Sequence, residues 1–460
     1  MTLNSSGPIS LGGSTAGQSI ALELGLSSTA TITLNDAAVR SLAGVPSGAI
    51  VMPNDFWGKS SATYYFTVIY ANAGAGHPVS TGAFSVNSDK SVTVYGRVDN
   101  TYLLQVKLNS SGTATDYKKG SLTAGSNPAQ AGVKDSSNNI YFPTSPYLYK
   151  FDSTGALQLI YTSTTGTQSF TIDNSGYIWG IGNSGTNGST LTKYNSSFVV
   201  SASYLVISGT YTVSTLPKLA RNYSSAVGLV YTVNGYAPCC CYWSPYIEAK
   251  PSGAGAVGWA VTGSNSGEAT GVNTDSSGNV YWFDGAGYLT KFNSSGIEQW
   301  STYISGFPVD YANGPRIEID SSSNVYLVSE INCVIVKFNS SGVTQWTRKL
   351  NNTTTGGYIY VYDAQISPND PNALYITGLD SSTPSEQGFV FKIPTDGSLM
   401  QTFTIHGNSY SYVNPGLATY SSSGYTSYAD GGLPTTSVIS TATSETISTT
   451  TAYSSAVKVL

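Results

Sequence analysis

One two-part pattern recurs along this chain at a nearly constant spacing, and it limits the fold more than any other feature. Its first half is a turn such as Asp275-Ser276-Ser277-Gly278-Asn279 followed by Val280-Tyr281; its second half is a short apolar run ending in Lys, as in Tyr288-Leu289-Thr290-Lys291-Phe292, and a further turn, Asn293-Ser294-Ser295-Gly296. The next copy runs from Asp320 to Val325-Tyr326, then Val334-Ile335-Val336-Lys337-Phe338-Asn339-Ser340-Ser341-Gly342, and Lys291 and Lys337 stand 46 residues apart. Gln299-Trp300 and Gln345-Trp346 follow at matching positions. Earlier copies pair Asp89 with Lys107, Asp135 with Lys150 and Asp173 with Lys193; a later one pairs Leu374-Tyr375 with Lys392. A degenerate copy, Leu229-Val230-Tyr231 with Lys250, makes seven, and their anchors from Tyr95 to Tyr375 span 280 residues in six steps, about 47 per step.

A unit of that length with apolar residues alternating at period two is a set of short strands, not a helical repeat. Four strands per unit is the size of one propeller blade, and an isolated blade would leave both faces and edges wet. The expected fold is therefore all-β: a seven-bladed β-propeller over 61–410, with a small N-terminal α+β docking module at 1–60 and a Ser/Thr-rich C-terminal β extension or arm at 411–460. The unit resembles the bacterial β-propeller repeat of the NHL-like kind. That resemblance speaks to fold and leaves activity open.

Residues 1–60 do not repeat. Leu34 to Ala43 reads as a short helix that Asn35 or Asp36 can cap and Gly44 can end. The phrases from Ser6-Gly7-Pro8-Ile9-Ser10-Leu11-Gly12-Gly13 through Glu23-Leu24-Gly25-Leu26 to Asp55-Phe56-Trp57-Gly58-Lys59-Ser60 resemble a module at the N-termini of tail proteins from tailed bacteriophages. The resemblance implies a virion component of a tail, baseplate or tail fibre that docks by this end. Leu24, Leu34, Val39, Leu42, Phe56 and Trp57 are the candidate docking residues. Gly58-Lys59-Ser60 is not a phosphate loop, since Pro53 stands where that motif needs its first Gly.

Past about residue 410 the chain turns to Ser, Thr, Tyr and Gly, and Ala452 to Leu460 reads as a strand. It either closes the ring against Tyr64 to Tyr70 or forms an arm that pairs with another subunit; because the repeat ends near Ile405, the arm is the preferred reading. Cys239-Cys240-Cys241 and Cys333 have neither disulfide-framework nor zinc spacing. They read as free thiols from a reducing compartment, with a strained vicinal bridge or a pairing to Cys333 as alternatives.

Chemistry is sparse along the chain. Only 10% of residues are charged, the net charge is −5 and no basic run exists, which argues against nucleic acid as a partner. No apolar stretch is long enough to insert in a membrane, and no signal peptide is recognisable at the start. His77 and His406 have no metal-ligand neighbours. The repeated Asp residues bond their own turns, with calcium as the one cation such turns could attract. The repeated Lys residues pack their stems and send their heads to solvent. The sequence thus reads as non-enzymatic, with no catalytic, cofactor-binding or metal residue. It would be a bacteriophage tail structural protein assembled in the bacterial host cytoplasm, with other virion tail proteins, copies of itself and a host surface glycan as partners. The alternatives are a propeller-type polysaccharide depolymerase and a bacterial surface adhesin.

Overall fold

The computed structural model describes most of residues 3–422 and the short stretches 442–443, 447–449 and 453–459; the longer stretches outside it are 57–63, 72–77, 124–131, 206–217, 237–242, 251–258, 263–270 and 423–441. The described residues form an all-β propeller arrangement with almost no helix. They make seven antiparallel sheets. The first is Val79–Val86, Val92–Val98, Tyr102–Leu108 and Ala114–Thr123, and the same four-strand meander repeats from each of the innermost strands Val133–Lys134, Thr167–Ile172, Lys218–Leu219, Gly271–Thr274 and Arg316–Ile319. The last sheet takes Ile359–Ile366, Ala373–Asp380 and Gln387–Pro394 from its own unit and Tyr65–Ala71 from the start of the chain.

The repeated aromatic and aliphatic positions build the contacts between sheets. Ile140, Phe142, Tyr149 and Phe151 of the second sheet pack on Ala83, Tyr95 and Leu103 of the first. The last sheet packs back on the first through Tyr65, Ile69, Tyr375 and Val390 against Val79, Phe84, Val94 and Leu104. Each fully buried side chain of this size contributes roughly 2 kcal/mol, against about 1 kcal/mol for a typical hydrogen bond, so the greasy faces hold the sheets together.

The turns then lock the stack. Asp135 Oδ1 accepts from the backbone N–H of Ser137 and of Asn139, both at 2.9 Å, which is the local bonding expected of it. Its Oδ2 accepts from Tyr141 Oη at 2.9 Å, and Asp275–Tyr281 and Asp320–Tyr326 repeat this bond at 3.0 and 3.1 Å. In the third sheet Trp179 Nε1 replaces the hydroxyl. The lysine heads do not all end in water. Lys107, Lys150 and Lys337 donate to Thr154 O, Ser196 O and Thr395 O in the turns of neighbouring sheets. The ammonium groups of Lys150, Lys291, Lys337 and Lys392 also lie over the rings of Tyr141, Tyr281, Tyr326 and Tyr375.

The tail is not an arm toward another subunit. Tyr453–Val459 pairs antiparallel with Tyr65–Ala71, Tyr65 opposite Val459, and completes the last sheet. Other tail strands add to outer edges: Asn408–Val413 to Thr344–Asn352, Thr419–Ser422 to Glu298–Ile304, Ala442–Thr443 to Leu157–Thr162 and Ile447–Thr449 to Ala114–Thr123. An exposed edge would template pairing with other chains, and this chain covers these edges with its own residues.

The N-terminal module has its own small core of Leu3, Ile9, Ile20, Val39, Leu42, Ala43 and Phe56. Its helices are Ile20–Glu23 and Ala37–Ala43, followed by a 3₁₀ turn at Asn54–Phe56. The expected strand content of an α+β module reduces, among the described residues, to one bridge between Ser10 and Ser19. Asp36 does not cap with its side chain; its carboxylate accepts from the backbone N–H and the hydroxyl of Thr33, while its carbonyl accepts from Arg40 N.

Candidate functional site at the propeller axis

The innermost strands line the axis, and there the sparse charge of the chain is concentrated. Arg221, just past Lys218–Leu219, donates to Glu318 Oε1 at 3.1 Å, to Ala364 O at 2.7 Å and to Asp363 Oδ1. Glu318 also accepts from Ile366 N, and Arg316 Nε donates to Tyr362 O at 3.0 Å. Lys218, Arg316, Glu318, Glu330 and Asp363 are all buried.

Burial sets the protonation of this cluster. It pushes Glu318 up to about 7, although the Arg221 guanidinium pulls the other way. It also raises Asp363, again against Arg221 and Arg316. Burial, with the charge of Arg316 beside it, pushes the Lys218 ammonium down to about 7, Glu330 opposing. For Arg221 burial would weaken the charge, but Asp363 and Glu318 outweigh it and the guanidinium is held more firmly protonated.

The Arg221–Glu318 pair divides two cavities. On the side of the strand starts lies one of about 50 Å³, lined by Ser169, Lys218, Arg221, Asn273, Arg316 and Glu318 among others. On the side of the strand ends lies a cleft of about 560 Å³, lined by Lys134, Asn138, Arg221, Asn222, Tyr223, Glu318, Gln365, Ser367 and Asn369 among others. Amides, hydroxyls and one carboxyl that exchanges a proton near neutrality make the cleft suited to a polyhydroxylated ligand and to acid–base chemistry.

None of these groups stands out in the linear repeat, because the three that meet, Arg221, Glu318 and Asp363, come from three different sheets. The residues singled out by sequence lie elsewhere. Val39, Leu42 and Phe56 are buried in the module's own core, and Leu24 and Leu34 pack half-buried against it. Trp57 lies outside the described residues, as do His77 and Cys239 to Cys241. Among the described residues of the module, the exposed large apolar side chains are Leu26 and Val51. His406 stacks on Tyr70 with centroids 3.8 Å apart. Cys333 is a buried free thiol, and burial raises its pKa. Among the described residues no group of three or more His, Cys, Asp or Glu is placed to hold a metal ion. No helix among them is long and apolar enough to cross a membrane.

No family model matches the chain, and no curated protein matches it in sequence. Among solved structures it is similar to a virginiamycin B lyase from Staphylococcus aureus, determined as a catalytically inactive variant with quinupristin, at 10% identity and a TM-score of 0.45, over 72% of this chain and 100% of that one. It is also similar to a gluconolactonase from Xanthomonas campestris at 11% identity and a TM-score of 0.40, over 71% of this chain and 97% of that one. Both of these proteins are named as enzymes. The expectation of a non-enzymatic ring without candidate catalytic residues is corrected by the buried axial cluster of Lys218, Arg221, Arg316, Glu318 and Asp363. No catalytic spacing along the chain marks this cluster, because its members are brought together only by the closing of the ring.

Proposed function

We propose that this propeller is an enzyme acting on polysaccharide, with its reaction centre in the axial cleft and Glu318 as the general acid and base. The single observation that carries the reading is Glu318 itself: a buried carboxyl pushed up to about 7 at the wall of a polar cleft of about 560 Å³. That cleft volume falls within the roughly 300–1,000 Å³ of ordinary small-ligand sites. Neutral Glu318 gives its proton to the departing glycosidic oxygen as the carbon–oxygen bond breaks. Water adds to the sugar carbon, and the proton it loses returns to the carboxylate. Arg221 positions Glu318 and holds Asp363. Each of the seven sheets would be one blade, so that seven blades close the ring. Incubating the protein with bacterial surface polysaccharides tests the reading. New reducing ends that disappear with Glu318→Gln support it; equal release by that variant overturns it.

A second reading concerns attachment and rests on one observation, that residues 3–56 pack an apolar core of their own. The N-terminal module would tether the ring to a bacteriophage tail, with tail proteins or copies of this chain as partners, a host surface glycan as the ligand and assembly in the host cytoplasm. Deleting residues 1–60 should leave the propeller folded and abolish incorporation into particles; normal incorporation would refute the tether.

A further inference from the structure

The axial cleft holds one cation that the acid–base reading leaves without a task. Lys134 ends the short innermost strand Val133–Lys134 and lines the cleft. It stands directly before the turn residue Asp135, whose N–H donates to Asn139 O. The same backbone bond marks the equivalent place in other sheets, at Asn87, Asp173, Asp275 and Asp320, and the residues before those turns are Val86, Ile172, Thr274 and Ile319. The repeat therefore asks for an uncharged side chain at this place, and the fold has no need of an ammonium. Nor does an acid require it. Among the described residues Lys134 forms no ion pair, whereas Lys90 and Lys392 both reach Asp370. Arg221, the other cation of the lining, is held by Glu318 and Asp363.

A carbonyl fixes Lys134 instead. Its Nζ donates to Val86 O at 3.1 Å, and Asn369 Nδ2, from the turn after Ile359–Ile366, donates to the same oxygen at 2.9 Å. One carbonyl at the end of a strand of the first sheet thus gathers an ammonium from the second sheet and an amide from the last, side by side in the lining of the cleft. The ammonium keeps two further N–H donors and the amide one. Burial weakens the ammonium, and no carboxylate opposes that loss as Asp370 does for Lys392. Charge-assisted bonds from such a pair suit the two oxygens of a carboxylate. Resting on the polysaccharide reading of this cleft, we propose that the chain it takes carries acidic sugars, and that the carboxylate of one uronic acid unit is held by Lys134 and Asn369. The net charge of −5 repels anions in general, so selectivity for an acidic glycan comes from this local pair.

The test is titration calorimetry of the full chain, at a fixed ionic strength of about 0.15 M, with short oligogalacturonate and oligoglucuronate and with their methyl esters. The esters keep the sugar rings and lose the charge. At least one free acid should bind saturably and about tenfold more tightly than its ester. Lys134→Met and Asn369→Leu should each erase most of that preference without weakening the ester, while Lys134→Arg keeps it. Equal binding of acid and ester, no saturable binding of either acid up to about 10 mM, or a preference intact in Lys134→Met overturns the assignment. Should the variants fail to fold, acetylation of Lys134 in the unmodified protein, followed by mass spectrometry, takes their place. The free acid should slow it several-fold more than the ester, and equal rates refute the proposal. Release of reducing ends is measured separately. Cleavage of neutral glycan that needs Glu318 would keep the enzymatic reading while acid selectivity fails, and acid selectivity without any cleavage would remove the enzymatic reading alone.

Discussion

Arg221 donates to Glu318 at 3.1 Å across the axis of the ring, joining residues 97 positions apart on sheets that have a third sheet between them. The contact is made by the closed architecture and by no local motif. Removing one member of a buried ion pair leaves the other without its partner, at a cost of roughly 3–5 kcal/mol. Arg221→Met should therefore destabilise the protein by about 3 kcal/mol in urea titrations, and a change below about 1 kcal/mol would show that the pair is dispensable to the fold.

The same pair predicts an unusual dependence of stability on pH. Glu318 is raised from 4.5 to about 7 in the folded chain, so the native state holds a proton that the unfolded chain has lost. Its contribution is fully present below pH 4.5 and disappears as pH rises to about 7. Lys218, lowered from 10.5 to about 7, acts in the next window: the unfolded chain binds the extra proton, so stability recovers as pH rises from about 7 toward 10.5. Denaturant titrations across pH should show Glu318→Gln flattening the fall and Lys218→Met flattening the rise. Profiles identical to the parent's would show that neither group titrates in this way.

Much of the ring was legible in the sequence, because its signal is local and repeated. The Asp turn, the aromatic and the mid-strand Lys each recur near a 47-residue step, and each has a structural task that follows from its residue type. The axial cluster was not legible for the opposite reason. Arg221, Glu318 and Asp363 are three different residue types, so no recurring motif marks them. The nearest clue was Arg316-Ile317-Glu318-Ile319, a strand with alternating charges in a chain that has few. The tail was misjudged because pairing at an outer edge leaves no periodic mark on a run of Ser and Thr.

Gly342 tests the sheet-to-sheet packing. It sits at φ +78°, and a Cβ there would come 2.6 Å from the Trp300 ring of the preceding sheet. Trp300 Nε1 also donates to Ser340 O at 3.0 Å in the same turn. Gly342→Ala imposes both backbone strain and a clash, about 2 kcal/mol together. The expected outcome is that loss by chemical denaturation, with no change at Gly176→Ala beyond the cost of its φ of +79°, since nothing lies within 4 Å there.

Deleting residues 453–460 would uncover the edge of Tyr65–Ala71 along the seven paired residues from Tyr65 to Ala71. The truncated chain should lose on the order of 2 kcal/mol and self-associate through the bare edge. Size-exclusion chromatography and thermal denaturation would read both effects; a monomer of unaltered melting temperature would contradict the assignment.

That pairing also has a temporal side. Tyr65–Ala71 leaves the ribosome early, yet its two hydrogen-bonding neighbours, Gln387–Pro394 and Tyr453–Val459, emerge hundreds of residues later. The first strand must wait for both of these segments before its flanks are satisfied, so the torus can shut only after Tyr453–Val459 has followed it. Such long-range closure is intrinsically slow, and the half-made chain is the stage at which helper chaperones would matter most.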